Sequence, residues 1–145
     1  AAKVVADKQS DKDVVRRAQY VEAKSYLATS QRDKAFVILR KLSSATATPE
    51  GAEASYLIIQ DNYDQGKFED VENLVYKFSD TGTSQTYWLA KAFVVLGDSF
   101  AERGDFKQAR ATFESIRDGY EPSGKNDEVQ DNVSMRLKKL SEMGK

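Results

Sequence analysis

The sequence predicts an all-α protein made of about three helical hairpins and a C-terminal capping helix. Three observations lead to this fold. Apolar residues recur at helical spacing, short breaks divide each amphipathic segment into two halves, and the breaks align with one another along the chain. A chain of 145 residues, 40% of them hydrophobic, is long enough to build such an array around a core. No β-sheet is expected.

The third hairpin shows the pattern most clearly. Two runs of apolar or small residues at helical spacing flank a break at Gly104 and Asp105. The first run contains Leu89, Phe93, Leu96, Gly97 and Phe100, and the second contains Phe106, Ala109, Phe113 and Ile116. Two amphipathic helices joined by so short a turn form an αα-hairpin. We expect Gly97 and Ala109 to be buried where the two helices meet, because small residues allow close approach.

The other two hairpins repeat this plan. Their breaks lie at Ser30 and Gly66, so that successive breaks are 36 and 38 residues apart. The hairpins are predicted over about residues 12–43, 49–79 and 84–118, and their helices over about 12–29, 32–43, 49–65, 67–79, 84–103 and 105–118. Pro49 is expected to open the third helix with Thr48 as its N-cap.

A final apolar stripe predicts the capping helix, over about residues 126–142. The stripe consists of Val129, Val133, Leu137 and Leu140, with acidic residues at its N-terminal end and Lys138 and Lys139 at its C-terminal end. Helical solenoids need such polar ends. We interpret residues 1–145 as a single domain. The segment from Ala1 to Ala6 is interpreted as the tail of an earlier helix, so that the chain is a fragment of a longer protein.

The third hairpin resembles a tetratricopeptide repeat (TPR). It reads Phe93-x-x-Leu96-Gly97-x-x-Phe100, then Gly104-Asp105-Phe106 and Ala109-x-x-x-Phe113, with Pro122 near the expected terminal proline. Hairpins one and two depart from this pattern at Glu22, Ile59 and Asn62, which leaves a generic helical-hairpin array as the rival fold. The resemblance implies a right-handed α-solenoid in which the first helix of each hairpin lines the concave face.

A closer resemblance concerns three segments of the chain. Ala23–Ala28, Glu50–Ala54 and Tyr87–Ala92, together with Leu96-Gly97-Asp98, look like the C-terminal TPR region of large bacterial cell-envelope repeat proteins. That resemblance implies an envelope-associated role in interaction or assembly. It favours a periplasmic or envelope-associated location and leaves a cytoplasmic one open.

Composition argues against catalysis. The chain has neither histidine nor cysteine, so the usual nucleophile–histidine pairs cannot form, and no enzyme activity, metal site or cofactor is predicted. With a net charge of −1, nucleic acid is not an expected partner. The small basic cluster of Arg136, Lys138 and Lys139 is interpreted as a cationic helix end. No apolar run approaches the length of roughly 20 residues that a membrane span needs, so membrane insertion is not expected either.

The TPR resemblance also selects a candidate binding surface on the first helix of each hairpin. Its residues are Arg17, Tyr20, Lys24 and Leu27, then Tyr56, Gln60 and Tyr63, then Lys91, Val94 and Asp98, with Ala101 beside them. The mixture of aromatic, amide and charged groups is typical of a contact surface for a protein or peptide. Tyr20, Tyr56 and Tyr63 are expected to be partly exposed along one groove. Tyr87 and Trp88 either anchor a partner or pack one hairpin on the previous one, and packing is the preferred interpretation.

The leading functional hypothesis is therefore a non-catalytic scaffold that binds a protein or peptide on its concave face. The alternative is a structural spacer or oligomerisation segment of a larger envelope protein. A third hypothesis, an enzyme that uses carboxylates, has no convergent acid–base set in the sequence to support it.

Overall fold

The structure is a computed structural model that describes residues 2–122 and 127–145, with side chains described from residue 10 onward. Within these residues the regular secondary structure is entirely helical, without any strand, which confirms the all-α prediction. The helices are α1 (Ala2–Ala28), α2 (Arg32–Leu42), α3 (Pro49–Asp64), α4 (Phe68–Asp80), α5 (Thr86–Glu102), α6 (Phe106–Gly119) and α7 (Val129–Glu142). Residue 126, the predicted start of the capping helix, lies outside the described residues.

The start of α1 is a correction to the sequence prediction. The helix begins at Ala2 rather than near residue 12, so residues 2–6 belong to α1 and are not the tail of a separate helix. No glycine or proline interrupts residues 2–28, and the alanines, lysines and glutamine in its first turns favour a helix. Residues 2–12 show no clear apolar periodicity, and this is why periodicity alone placed the start too late.

The three hairpins turn with the same backbone conformation. Ser30, Gly66 and Gly104 have φ values of 61°, 74° and 77°, in the left-handed region, and each turn is three residues long. In the third hairpin, the N–H of Gly104 donates to the carbonyl of Ala101 at 3.0 Å and that of Asp105 donates to the carbonyl of Phe100 at 2.8 Å. The other two turns make the equivalent bonds. These bonds satisfy carbonyls at the end of the first helix, and the second helix follows at once.

Buried positions recur at fixed distances after each turn residue. The residues five, nine and twelve positions later are buried in all three hairpins: Ala35, Leu39 and Leu42, then Val71, Val75 and Phe78, then Ala109, Phe113 and Ile116. The alignment of the hairpins made from the sequence therefore describes the burial pattern of the second helices correctly.

The chain divides into two compact units, Ala1–Ile58 and Ile59–Lys145, with the boundary inside α3. In the first unit, Phe36, Leu39 and Leu42 of α2 form a core cluster with Ala23 of α1 and Ala54 of α3. As predicted, Pro49 begins α3 and the Thr48 side chain caps it by accepting a hydrogen bond from the N–H of Gly51 at 3.1 Å. A Cβ atom at Gly51 would lie 2.0 Å from the carbonyl oxygen of Ala45, so only glycine fits there.

In the second unit, α5 is the central helix and packs against α4, α6 and α7. Gly97 and Ala109 are buried, as predicted, and a Cβ atom at Gly97 would lie 2.4 Å from Cε1 of Phe113. The ring of Phe113 thus occupies the space that glycine leaves open. On α7, the predicted stripe of Val129, Val133, Leu137 and Leu140 is buried.

The Gly97–Phe113 contact predicts a large loss of stability on enlarging residue 97. Gly97→Leu should lower the free energy of unfolding by roughly 1–3 kcal/mol or more, because the buried ring of Phe113 has little room to move away. Gly119→Ala, at a helical glycine with open space around it, is the control and should leave stability nearly unchanged. Thermal and urea unfolding would measure both, and an unchanged melting temperature in Gly97→Leu would contradict the contact.

The shared turn predicts that the first hairpin can be stabilised. Ser30 is the only one of the three turn residues that carries a side chain, and a left-handed conformation costs such a residue roughly 1–2 kcal/mol. Ser30→Gly should raise the free energy of unfolding by about 0.5–1 kcal/mol, after the greater flexibility of glycine in the unfolded chain is subtracted. The reverse change, Gly104→Ser, should lower stability by a similar amount. Urea unfolding of the two variants would test the sign, and a loss in Ser30→Gly would refute the argument.

Candidate functional site

A buried carboxylate dominates the polar contacts of the first unit. Tyr20 and Lys24 are one helical turn apart on α1 and therefore point to the same side, towards Glu53 of α3. The Tyr20 hydroxyl donates to Oε1 of Glu53 at 2.7 Å, and Lys24 Nζ donates to Oε2 at 2.6 Å. Glu53 is only 8% exposed, so both of its oxygens find donors within the protein. We call Tyr20, Lys24 and Glu53 the Glu53 cluster.

The Glu53 cluster changes the acidity of its tyrosine. Burial is the largest cause, and the hydrogen bond to Glu53 and the negative charges of Glu53 and Glu50 add to it, so that the pKa of Tyr20 rises to about 12. The hydroxyl of Tyr20 consequently keeps its proton at neutral pH and acts as a donor. Its role in the folded protein is to hold the carboxylate, which it could not do as a phenolate.

A second set of charges lies one turn earlier on the same two helices. Arg16 Nη2 contacts Oδ1 of Asp13 at 2.6 Å, and Arg16 Nε lies 3.7 Å from Oε2 of Glu50 on α3. Arg16, Tyr20 and Lys24 follow one another every four residues, so one face of α1 presents three donors to two carboxylates of α3. These contacts join the two helices through polar groups in addition to the apolar core.

In the second unit, Asp98 on α5 is a carboxylate that also receives donors from another helix. Arg136 of α7 donates from Nε to Oδ1 at 2.7 Å and from Nη2 to Oδ2 at 3.0 Å. Paired parallel hydrogen bonds of this kind are strong and geometrically specific. Arg136 was interpreted from the sequence as part of a cationic helix end. The structure corrects this, because its guanidinium joins α7 to α5.

Tyr63 belongs to the same region of the second unit. Its ring packs beside Phe68 with 5.6 Å between centroids, and its hydroxyl lies 3.4 Å from Oε1 of Glu102. Burial raises the pKa of Tyr63, with further contributions from the charges of Asp98 and Glu102. Tyr63 therefore also lies among groups of its own unit.

Lys91 joins the beginning of α5 to the beginning of α7. Its Nζ lies 3.7 Å from Oε1 of Glu128 and 5.4 Å from the ring centroids of both Tyr87 and Trp88. The Tyr87 hydroxyl donates to the same carboxylate, and this hydrogen bond is the main cause of the lowered pKa of Glu128. Tyr87 and Trp88 are half-buried. Tyr87 contacts the start of α7, the helix that follows the hairpin of α5 and α6.

The ten predicted binding residues differ in exposure. Arg17 and Lys24 are exposed, whereas Tyr20, Leu27, Tyr56, Gln60, Tyr63, Lys91 and Asp98 are partly buried. Arg17, Tyr20, Lys24, Leu27 and Tyr56 lie in the first unit, and the others lie in the second.

Val94 requires a correction, since it is buried at 8% exposure and offers little surface to a partner. The reason is that α5 is packed by α4, α6 and α7, which leaves less of it open than a first helix with fewer neighbours.

The sequence prediction missed Glu53 and the role of Arg136. The sequence did hold one signal for Glu53. It is the charged residue among Gly51, Ala52 and Ala54, and small residues of this kind are often buried where helices meet. The pairing of Asp98 with Arg136, which are 38 residues apart, leaves no local trace in the sequence.

These groups pair and pack with one another inside the protein. Each central carboxylate is held by donors, and the nearby tyrosines have raised pKa values, so they do not exchange protons readily at neutral pH. In the described part of the chain, no three carboxylates come together in a way that could hold a metal ion. Among the helices of residues 2–122 and 127–145, none has the length and apolarity required to cross a membrane.

Comparison of the chain with protein-family models, with curated proteins and with solved structures finds no match.

The Glu53 cluster predicts a pH-dependent contribution of Tyr20 to stability. Tyr20→Phe removes one donor from a buried carboxylate and should cost roughly 1.5–3 kcal/mol at pH 7. Because the pKa of Tyr20 is raised in the folded state, its contribution is complete below about pH 10 and is lost as the pH rises through about 12. The stability difference between wild type and Tyr20→Phe should therefore shrink between pH 10 and 12.

Urea unfolding at pH 7, 10 and 11.5 would measure this difference. Tyr76→Phe, at an exposed tyrosine of α4, is the matched control and should behave like wild type. A Tyr20→Phe deficit that is negligible at pH 7, or one that grows above pH 10, would count against the cluster.

Proposed function

We propose that this chain is a non-catalytic, TPR-like scaffold that binds another protein or a peptide. The observation that carries the proposal is the triple repetition of one hairpin. Three turns share a left-handed residue, and the same three positions of each second helix are buried. A repeated hairpin presents its first helices in a regular series, and proteins built in this way commonly use the resulting surface for binding.

The proposed binding surface is the concave face of a right-handed solenoid. In the first unit it uses Arg17, Leu27 and Tyr56, together with the exposed stem of Lys24. In the second unit it uses Gln60, Tyr63 and Lys91. Aromatic side chains bury a large area with few rotatable bonds, so the tyrosines would supply much of the affinity. The charged residues would mainly set orientation and association rate. The proposed location is the bacterial cell envelope, on the sequence resemblance alone.

The alternative proposal is a structural spacer or oligomerisation segment. One observation favours it: Tyr20, Lys24 and Asp98 already have partners inside the protein, at Glu53 and Arg136. A surface whose charges are neutralised internally has less to offer a ligand. The scaffold needs Tyr56 and Tyr63 for binding, whereas the spacer does not need them for its function.

A double substitution separates the two functions. Tyr56→Ala/Tyr63→Ala should fold with a helical content like that of the wild type and lose the partner that the wild-type chain recovers from cell-envelope extract. The loss should be at least about tenfold, which corresponds to 1.4 kcal/mol of binding free energy. Tyr76→Ala removes an exposed tyrosine from α4, a second helix, and is the matched control.

Affinity capture with quantitative mass spectrometry would measure recovery, and circular dichroism would confirm folding. Full retention of the partner by the double variant would exclude these tyrosines as the binding surface. Recovery of no specific partner by the wild-type chain would favour the spacer.

A further inference from the structure

One face of α1 is apolar and exposed. Val14, Ala18, Val21 and Ser25 follow one another at intervals of four, three and four residues, so they form a single stripe along the helix. All four are exposed, and Val14 and Val21 are 61% and 65% accessible. Exposing valine and alanine side chains to water does not stabilise a helix. A continuous exposed apolar stripe commonly marks an interaction site. We call these four residues the α1 stripe.

Three of the four residues of the α1 stripe have counterparts of the same type on α5. Counted back from the turn residues Ser30 and Gly104, the positions of Ala18, Val21 and Ser25 correspond to those of Ala92, Val95 and Ser99. The residue types are identical at all three positions. On α5, however, Ala92 and Ser99 are completely buried and Val95 is 5% exposed.

The helix that covers this face of α5 is α4. The hydroxyl of Ser99 donates to the carbonyl of Phe68, the first residue of α4, at 3.4 Å. One turn further along, Arg103 Nη2 donates to Oε2 of Glu72 at 3.0 Å. Because the end of α5 thus lies beside the beginning of α4, the two helices run antiparallel. Val95 and Ala92 precede Ser99 by four and seven residues, so they lie on the same face of α5 as Ser99.

A second counterpart supports the assignment within the first unit. The positions on α3 equivalent to Ala18 and Val21 are Ala54 and Leu57, and both pack with the cluster that contains Ala23 of α1 and Phe36 and Leu39 of α2. In α5 this face of the first helix is therefore covered by the second helix of the preceding hairpin, and in α3 it packs into a buried apolar cluster. On α1 the same residue types remain exposed.

We propose that the α1 stripe is the docking site for an amphipathic helix of the α4 type. The occupant is an amphipathic partner helix that lies antiparallel to α1, in the way that α4 lies along α5. Its first-turn carbonyl would accept a hydrogen bond from Ser25, as the carbonyl of Phe68 does from Ser99. The proposal rests on the internal equivalence of the hairpins and is independent of the concave-face function.

The probe for the test is a synthetic peptide of residues 66–82, which contains α4 with its flanking glycines, blocked at both ends. Titrated into the isotopically labelled full chain, it should give saturable amide shifts centred on Ala18, Val21 and Ser25. Val21→Glu should weaken binding at least about tenfold. Val37→Glu, at an exposed valine on α2, is the matched control and should bind like wild type.

Three results would overturn the proposal: no shifts at millimolar peptide, shifts that survive Val21→Glu, or self-association of the chain that Val21→Glu abolishes. The last result would assign the stripe to a second copy of the chain. The peptide should bind the Tyr56→Ala/Tyr63→Ala variant as it binds wild type, so failure of the docking site and failure of the concave-face function give different results.

Discussion

Every hairpin of this chain depends on a reversal completed in three residues. The turn residue must adopt a left-handed φ so that its N–H and the next one can bond to carbonyls at the end of the first helix. Once this geometry is set, the second helix has a fixed starting point, and the positions five, nine and twelve residues later must face the first helix. The conformation of one residue therefore determines which side chains form the core of each hairpin, and at Ser30 the chain adopts it without the help of a glycine.

The fixed geometry requires the facing side chains to share a limited space. Seven residues before the turn, and nine residues after it, each hairpin has one buried residue: the pairs are Ala23 with Leu39, Ile59 with Val75, and Gly97 with Phe113. The largest second-helix residue is thus paired with glycine, and the β-branched Val75 is paired with a residue larger than alanine. At Gly97 and Phe113 this pairing is a direct contact, in which the ring fills the space that glycine leaves. In the sequence register of the hairpins, Ile59, where the TPR pattern has a small residue, stands opposite the smaller Val75.

Local patterns were sufficient to predict the helices and turns from the sequence, because apolar periodicity, glycine breaks and the Thr48–Pro49 cap all act within a few residues. The beginning of α1 could not be predicted in this way, since a polar segment without a breaker gives no signal for where a helix starts. The candidate surface was predicted less well for a different reason. Tyr20 and Lys24 meet Glu53, and Asp98 meets Arg136, only after separate helices have packed, so their use inside the protein is invisible in the local sequence. The burial of Val94 likewise depends on how many helices surround α5.

The ion pairs of Glu53 and Asp98 inside the protein limit which residues would supply binding energy in the proposed scaffold. A carboxylate that already has donors on both oxygens gains little from a further cation, and separating it from those donors would leave a buried charge, which is costly. In the proposed scaffold, the first helices would therefore contribute to binding mainly through aromatic rings and aliphatic side chains. The outer face of α1 offers two exposed valines, Val14 and Val21, whereas that of α7 offers mostly polar residues with Met135. The two helices therefore differ in what they leave in water: α1 exposes an apolar stripe and α7 exposes mostly polar groups.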